Sequence, residues 1–215
     1  MALADWTIAS DDSAVWTLNS IYTIKGTFSG AVFAQTPTTN LANYVVGYSL
    51  APVNQQCGRI RTMYKFDPTL RGNDSMGVFC QMQTSIGTNR QAYIALVKFL
   101  GATCSLHKNN IVTANGEVGL AQVPYATPTL GSVYAIQLNW QTDPVSGDML
   151  LIVSLDGPIA SPSTYDYSTL VDVISYTDSS SPLTTGYTVG LAGRIEGVGV
   201  PGHYQLYDGV DIYTD

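Results

Sequence analysis

Glutamate occurs only twice in this chain of 215 residues, at Glu117 and Glu196, and histidine only twice, at His107 and His203. Charge of any kind is scarce, because 12% of residues are Asp, Glu, Lys or Arg, about half the usual share. Long surface helices and disordered tails both need many more charges, so neither describes the chain. The charge that exists leans negative, with nine Lys plus Arg against sixteen Asp plus Glu and a net −7. A basic face for a phosphate backbone cannot be assembled from that set, and no nucleic-acid partner is expected. No run of roughly 18 apolar residues is present, which leaves no helix to span a membrane. The opening Met1-Ala2-Leu3-Ala4-Asp5-Trp6 has neither the basic start nor the apolar centre of an export signal. Synthesis in a cytoplasm without Sec-type export is therefore expected. Cys57, Cys80 and Cys104 are odd in number and lack a C-x-x-C spacing. Reduced, mostly buried thiols are predicted, and a structural zinc site is not.

What the sequence has is alternation. Tyr134, Ile136, Leu138 and Trp140 share one face of a period-two segment, and Met149 to Leu155 reads as its return strand. Asp143-Pro144 and Ser146-Gly147 lie between them with turn chemistry, so the two make an antiparallel hairpin. Arg59 to Phe66 alternates Ile60, Thr62, Tyr64 and Phe66 against Arg59, Arg61, Met63 and Lys65, a core face against a wet, locally basic one. Met76 to Gln83 and Ala92 to Leu100 read as buried strands, the second apolar on both faces and hence central. Shorter strands are predicted at Cys104 to Lys108, Glu117 to Gln122, Tyr187 to Leu191 and Tyr204 to Tyr213. The N-terminal third adds Trp16 to Leu18, Tyr22 to Lys25, Thr27 to Ala34 and Tyr44 to Leu50. Gln35 to Asn43 and Ser161 to Pro182 read as loops, the second with an edge strand or short helix at Leu170 to Tyr176.

Roughly twelve strands with almost no helix must close a barrel or stack as two sheets. The expectation is all-β: one antiparallel two-sheet β-sandwich of jelly-roll kind over residues 1–215. Residues 1–15 form its N-terminal arm or first strand.

The order of features resembles the concanavalin A-like lectin/glucanase superfamily, particularly its laminin-G-like members. The resemblance runs from Trp16 to Tyr213 through Met76-Gly77-Val78-Phe79, Tyr93-Ile94-Ala95-Leu96, Leu151 to Gly157, Tyr187 to Leu191 and Leu206 to Ile212. It is a diffuse pattern without a rare motif. Members that cleave β-glucans carry Glu, Asp and Glu at alternate positions of one strand, placing two carboxyls about 5–5.5 Å apart. Neither Glu117 nor Glu196 has an acidic neighbour two residues away. Asp208 and Asp211, three apart, would fall on opposite faces of a regular strand. No catalytic residue is assigned, and a non-enzyme is expected.

Other chemistry is equally thin. His107 and His203 sit near no G-x-S-x-G elbow, and both read as ordinary hydrogen-bonding or turn residues. Gly193 to Gly202 lacks the Lys and helix of a phosphate loop and reads as a strand connection. The resemblance makes calcium the one cofactor with a rationale, with Asp11, Asp12, Asp143, Asp148, Asp156 and Asp208 at turns and strand ends. Turn aspartates ordinarily bond their own backbone, so no metal ligand is assigned. For a sugar, Tyr165, Asp166 and Tyr167 place two rings and a carboxylate in one loop, and Tyr125 and Tyr176 are further aromatic candidates.

The leading expectation is a virion surface module: phage capsid decoration, head fibre or tail appendage. Its partners would be shell or tail proteins and host cell-surface glycans, and it would assemble as a homo-oligomer. The alternative is a stand-alone lectin-like carbohydrate-binding protein or a glycoside hydrolase.

Overall fold

The computed structural model describes residues 5–10, 14–20, 23–26, 29–34, 41–50, 56–66, 74–82, 91–109, 117–196 and 204–214. Among them run β1 (Trp6–Ser10), β2 (Ala14–Asn19), β3 (Ser29–Ala34), β4 (Leu41–Ser49), β5 (Cys57–Phe66), β6 (Ser75–Met82) and β7 (Tyr93–Lys98). After them come β8 (Thr103–Asn109), β9 (Glu117–Pro124), β10 (Val133–Thr142), β11 (Met149–Asp156), β12 (Val171–Asp178), β13 (Thr188–Glu196) and β14 (Tyr204–Thr214). They form two seven-stranded sheets, in the order β1-β4-β13-β6-β7-β8-β9 and β12-β11-β10-β5-β14-β3-β2. Every pairing is antiparallel. The fold is the expected all-β sandwich.

Alternation decides which side chains meet between the sheets. Ile60, Tyr64 and Phe66 of β5, Tyr134 to Trp140 in phase on β10, and Met149, Leu151, Val153 and Leu155 of β11 enter one core with Met76, Val78, Cys80, Tyr93, Ala95 and Val97 of the facing sheet. Trp140 is 2% exposed. Its ring lies over Gly58, its partner on β5; a Cβ there would stand 2.5 Å from the indole and 2.5 Å from the Tyr213 carbonyl oxygen. Polar contacts bridge the layers. The hydroxyls of Tyr44 (β4) and Tyr207 (β14) are hydrogen-bonded to each other, and Tyr44 also donates to Gln205 Oε1 at 2.5 Å. Burial pushes both phenols well above their ordinary pKa. Further along, Tyr93 (β7) donates to Asp178 Oδ2 (β12) at 2.6 Å, and Lys108 Nζ donates to the same oxygen at 2.6 Å.

The hairpin is where the alternation placed it, with β10 and β11 in register from Ala135↔Asp156 to Thr142↔Met149. Asp143 shapes its turn, Oδ1 accepting from Val145 N at 2.7 Å and Ser146 N at 3.2 Å. β7 is interior, between β6 and β8. Cys80 and Cys104 are buried, whereas Cys57 is only partly so.

Several expectations are corrected. Tyr22 to Lys25 is no strand over its described residues 23–25. Ile24 N donates to Ser29 Oγ at 2.8 Å and Lys25 N to Asp208 Oδ2 at 2.5 Å, contacts that hold a bend. Within Ser161 to Pro182, the edge strand or short helix expected at Leu170 to Tyr176 is the edge strand β12. Gly193 to Glu196 belongs to β13, and residues 41–43 of the other expected loop belong to β4. Asp208 and Asp211 do not point to opposite faces. The ladder slips between them, at Gly209 with φ +61°, so they oppose Met63 and Arg61, two residues apart on one face of β5. A bulge absorbs the odd residue. His203, Asp11, Asp12 and residues 197–202 lie outside the described residues.

Candidate functional site

The side chains of β5 that do not enter the core, Arg59, Arg61, Met63 and Lys65, define the outer face of the second sheet. Register then dictates their neighbours, since residues directly opposite across a ladder share a face. Three cross-strand rows follow. Asp208, Met63, Ala135 and Asp156 form the first, and Asp211, Arg61, Gln137 and Ser154 the second. Tyr213, Arg59, Asn139 and Ile152 form the third.

The first row is roofed by the segment between β11 and β12. Tyr167 is buried with Met63, Val133 and Ala135, and Ile159, Tyr165 and Leu170 pack around them. Its hydroxyl donates to Gly209 O at 2.5 Å, and burial pushes the phenol above its ordinary pKa. Tyr165 meets it edge to face, 5.0 Å between centroids, and donates to Asp156 Oδ2 at 2.8 Å. Asp166 is exposed and accepts from Ser168 N at 3.0 Å and Ser168 Oγ at 2.7 Å. Tyr165, Asp166 and Tyr167 thus sit together at the border of the sheet face. They do not present the two open rings expected of an outward tip, because the rings cover the sheet and each other.

The second row is the boundary. Arg61 lays its guanidinium over Tyr167, 4.5 Å from the ring centroid, and its Nε donates to Asp211 Oδ2 at 2.8 Å.

The third row is open. Tyr213 is 51% exposed. With Arg59, Asn139, Gln141, Leu150 and Ile152 it lines a depression of about 320 Å³, whose floor includes Gly58 and the edge of Trp140. Four strands at spacings near 4.8 Å make the row from Tyr213 to Ile152 about 14 Å long. It offers one aromatic ring, two primary amides, a guanidinium and two aliphatic side chains. Such a mixture suits a ligand with apolar C–H faces and many hydroxyls. A second hollow of about 330 Å³ shares Gln141 and Leu150 and extends to Asp143 and Asp148.

Another groove, about 480 Å³, lies where the edge strands β9 and β12 stack, lined by Val118, Leu120 and Tyr176 among others. Its charged groups are already engaged: Lys108 donates to Asp178 and to the carbonyls of Ser180 and Ser181 at 2.8 and 2.7 Å. Tyr125 is half-buried against the main core. His107 is buried on β8, its Nε2 2.8 Å from Ser105 Oγ; burial and the neighbouring Lys98 charge lower its pKa to about 4. Ser105 is 1% exposed, so this pair has no access to a substrate.

Asp156 and Asp208, two of the turn aspartates considered for calcium, already accept hydrogen bonds within the chain. Asp156 accepts from Gly157 N, Tyr165 and Thr169, and Asp208 from Lys25 N, Ser29 and Gly209 N. Among the described residues no three His, Cys, Asp or Glu side chains converge as a metal would require.

No family model matches the sequence, and no curated protein matches it either. Solved structures do match. The chain is similar to the exoplasmic/lumenal domain of VIP36 in its Ca2+/Man3GlcNAc-bound form, with 11% identity, a TM-score of 0.59, and 99% of this chain and 86% of that one covered. It is similar to the carbohydrate-binding module CBM66 from Bacillus subtilis, with 11% identity, a TM-score of 0.54, and 98% and 96% covered. It is also similar to a carbohydrate esterase from the Shiga toxin-encoding bacteriophage phi24B, with 12% identity, a TM-score of 0.53, and 98% and 90% covered. These likenesses establish a lectin-like β-sandwich, consistent with the concanavalin A-like architecture that the sequence resembles.

Sequence reasoning missed the open row. Arg59 and Arg61 were legible as an outward face, and Asn139 and Gln141 lie between the core residues of β10. What no single segment shows is that the ladders bring Tyr213 from β14 beside Arg59.

Proposed function

We propose that this chain is a carbohydrate-binding module that holds a glycan against the outer face of its second sheet. The observation that carries the reading is the open row of Tyr213, Arg59, Asn139 and Ile152 in a depression of about 320 Å³. The fold likenesses to carbohydrate-binding domains support it. Tyr213 supplies apolar contact to a pyranose face, about 1 kcal/mol for one ring. Asn139 and Gln141 present donors and acceptors to hydroxyls. A glycan array tests it: discrete saccharide signals should vanish in Tyr213→Ala while the unfolding free energy stays within about 0.5 kcal/mol. Signals that survive that variant unchanged would place the site elsewhere.

The reading carries no catalytic step. Its support is that Glu117 and Glu196 are isolated in the sequence, and that the two carboxylates the bulge brings to one face of β14 are engaged, Asp208 by Lys25 N, Ser29 and Gly209 N and Asp211 by Arg61. Incubation with laminarin, alginate or peptidoglycan fragments is expected to release no new reducing ends or unsaturated products.

The setting in this proposal is the surface of a virion, with the module attached to shell or tail proteins as a homo-oligomer. A phage protein among the fold likenesses and the sparse charge of the chain support it. One weak site per copy suits a repeated array, where avidity multiplies affinity by about 10² or more. Mass spectrometry of gradient-purified particles tests this, and absence of the chain from them would remove the setting and leave the module.

A further inference from the structure

Asp211 is one carboxylate between two guanidinium groups. Its Oδ2 is 2.8 Å from Arg61 Nε and 3.7 Å from Arg59 Nη2. Arg61 therefore holds the close contact, and Arg59 stands at the limit of an ion pair. Arg59 Nε is buried and has no hydrogen-bond partner among the described residues. The side chain is 39% exposed, and its guanidinium lies 5.3 Å from the centroid of the Tyr213 ring. Its register neighbour on the other side is Asn139, which is neutral. The open row thus contains one positive charge that its surroundings only partly balance, on a chain whose net charge is −7.

A guanidinium whose charge is only partly balanced, in a polar groove, is a recognition element for a planar anion, since its donors match the two oxygens of a carboxylate. A neutral sugar leaves that charge as it was. From this geometry we infer that the depression selects acidic glycans, sugars bearing a carboxylate such as uronates, with the carboxylate on Arg59 and the ring against Tyr213. The inference rests on the carbohydrate-binding reading and adds the ligand class.

Isothermal titration with two probes of equal length and linkage separates these claims: a β-1,4-linked glucuronate hexamer and cellohexaose. The native protein is expected to bind the glucuronate about tenfold more tightly at low ionic strength, and the difference should shrink at about 1 M salt, where screening is short-ranged. Arg59→Gln should bring the two affinities together without a change in unfolding midpoint. Asp211→Asn, which removes the competing carboxylate, should raise glucuronate affinity, a gain that misfolding does not produce. If Arg59→Gln does not fold, this second variant decides, and an unchanged or weakened glucuronate affinity overturns the inference. Equal binding of both probes by the native protein, or a preference retained in Arg59→Gln, also overturns it and leaves the carbohydrate-binding reading standing. Binding of neither probe, with a glycan array blank as well, ends both.

Discussion

Arg61 and Tyr167 are stacked at the border of the open sheet face, the guanidinium carbon 4.5 Å from the ring centroid. The ring is fixed from three sides: by Arg61, by Tyr165 edge to face, and by its own hydroxyl on Gly209 O. It anchors the segment between β11 and β12 and also holds the arginine that occupies Asp211.

Tyr167→Ala should therefore cost about 3–5 kcal/mol of stability, as truncation of a buried aromatic does. Tyr167→Phe removes only the hydroxyl and leaves Gly209 O without that donor, for a cost of about 1–2 kcal/mol. Urea unfolding of both variants checks the order. A near-neutral Tyr167→Ala would mean that the ring is not packed as described.

The Trp140–Gly58 contact makes a second pair of expectations. Trp140→Ala should cost about 3–5 kcal/mol by opening a cavity in the main core. Gly58→Ala should be destabilising for the opposite reason, because its Cβ would overlap the indole and the Tyr213 carbonyl oxygen. The double variant Gly58→Ala/Trp140→Ala should lose less than the sum, since removing the ring removes part of the clash. Unfolding midpoints of the three variants measure the coupling.

Acid should weaken the fold in two windows. Burial and the Lys98 charge hold His107 at about 4, below its ordinary 6.5, so the unfolded chain takes up that proton first. Stability from this group is complete above 6.5 and declines as the pH falls toward about 4. Asp178 acts lower down. Burial pushes its carboxyl up, but hydrogen bonds from Lys108, Tyr93 and Ser180 N outweigh that and hold it below the usual carboxylate value. Its contribution is present above about pH 4 and is lost as the pH falls through its lowered value. Unfolding midpoints followed from neutral to acid pH should lose the upper window in His107→Gln and the lower one in Asp178→Asn.

Thiol labelling probes both core and site. Burial pushes the Cys80 thiol well up and Cys104 to about 12, so neither should react in the folded protein. Cys57 lines the depression and is half-buried. A maleimide reagent should label Cys57 first, more slowly when a bound oligosaccharide covers it. Mass spectrometry of peptides from labelled protein gives the order, and early labelling of Cys80 would contradict the packing.

The sequence was most informative where one face of a strand is core and the other wet. β5, β10 and β11 were legible to within a residue or two because Ile60 to Phe66, Tyr134 to Trp140 and Met149 to Leu155 alternate cleanly. Period two also misled. It put Asp208 and Asp211 on opposite faces, and only the slip at Gly209 reverses that. Tyr165 and Tyr167 were recognisable as a pair, but whether they face water depends on Met63, Val133 and Ala135, outward side chains that need a cover. The open row is assembled from β5, β10, β11 and β14, far apart in the chain, so no local pattern announces it.

The strand order carries a consequence for how this chain reaches its native state. β14 lies between β5 and β3, so the middle of the second sheet is completed by the stretch farthest along the sequence. Until residues 204–214 arrive, β3 and β2 have no ladder to join, and the edge of β5 is bare. Closure over such long separations in sequence is slow, and an exposed sheet edge recruits foreign strands meanwhile. Nascent chains halted before β14 should thus be chaperone clients and aggregate when released, however complete the β10–β11 hairpin already is.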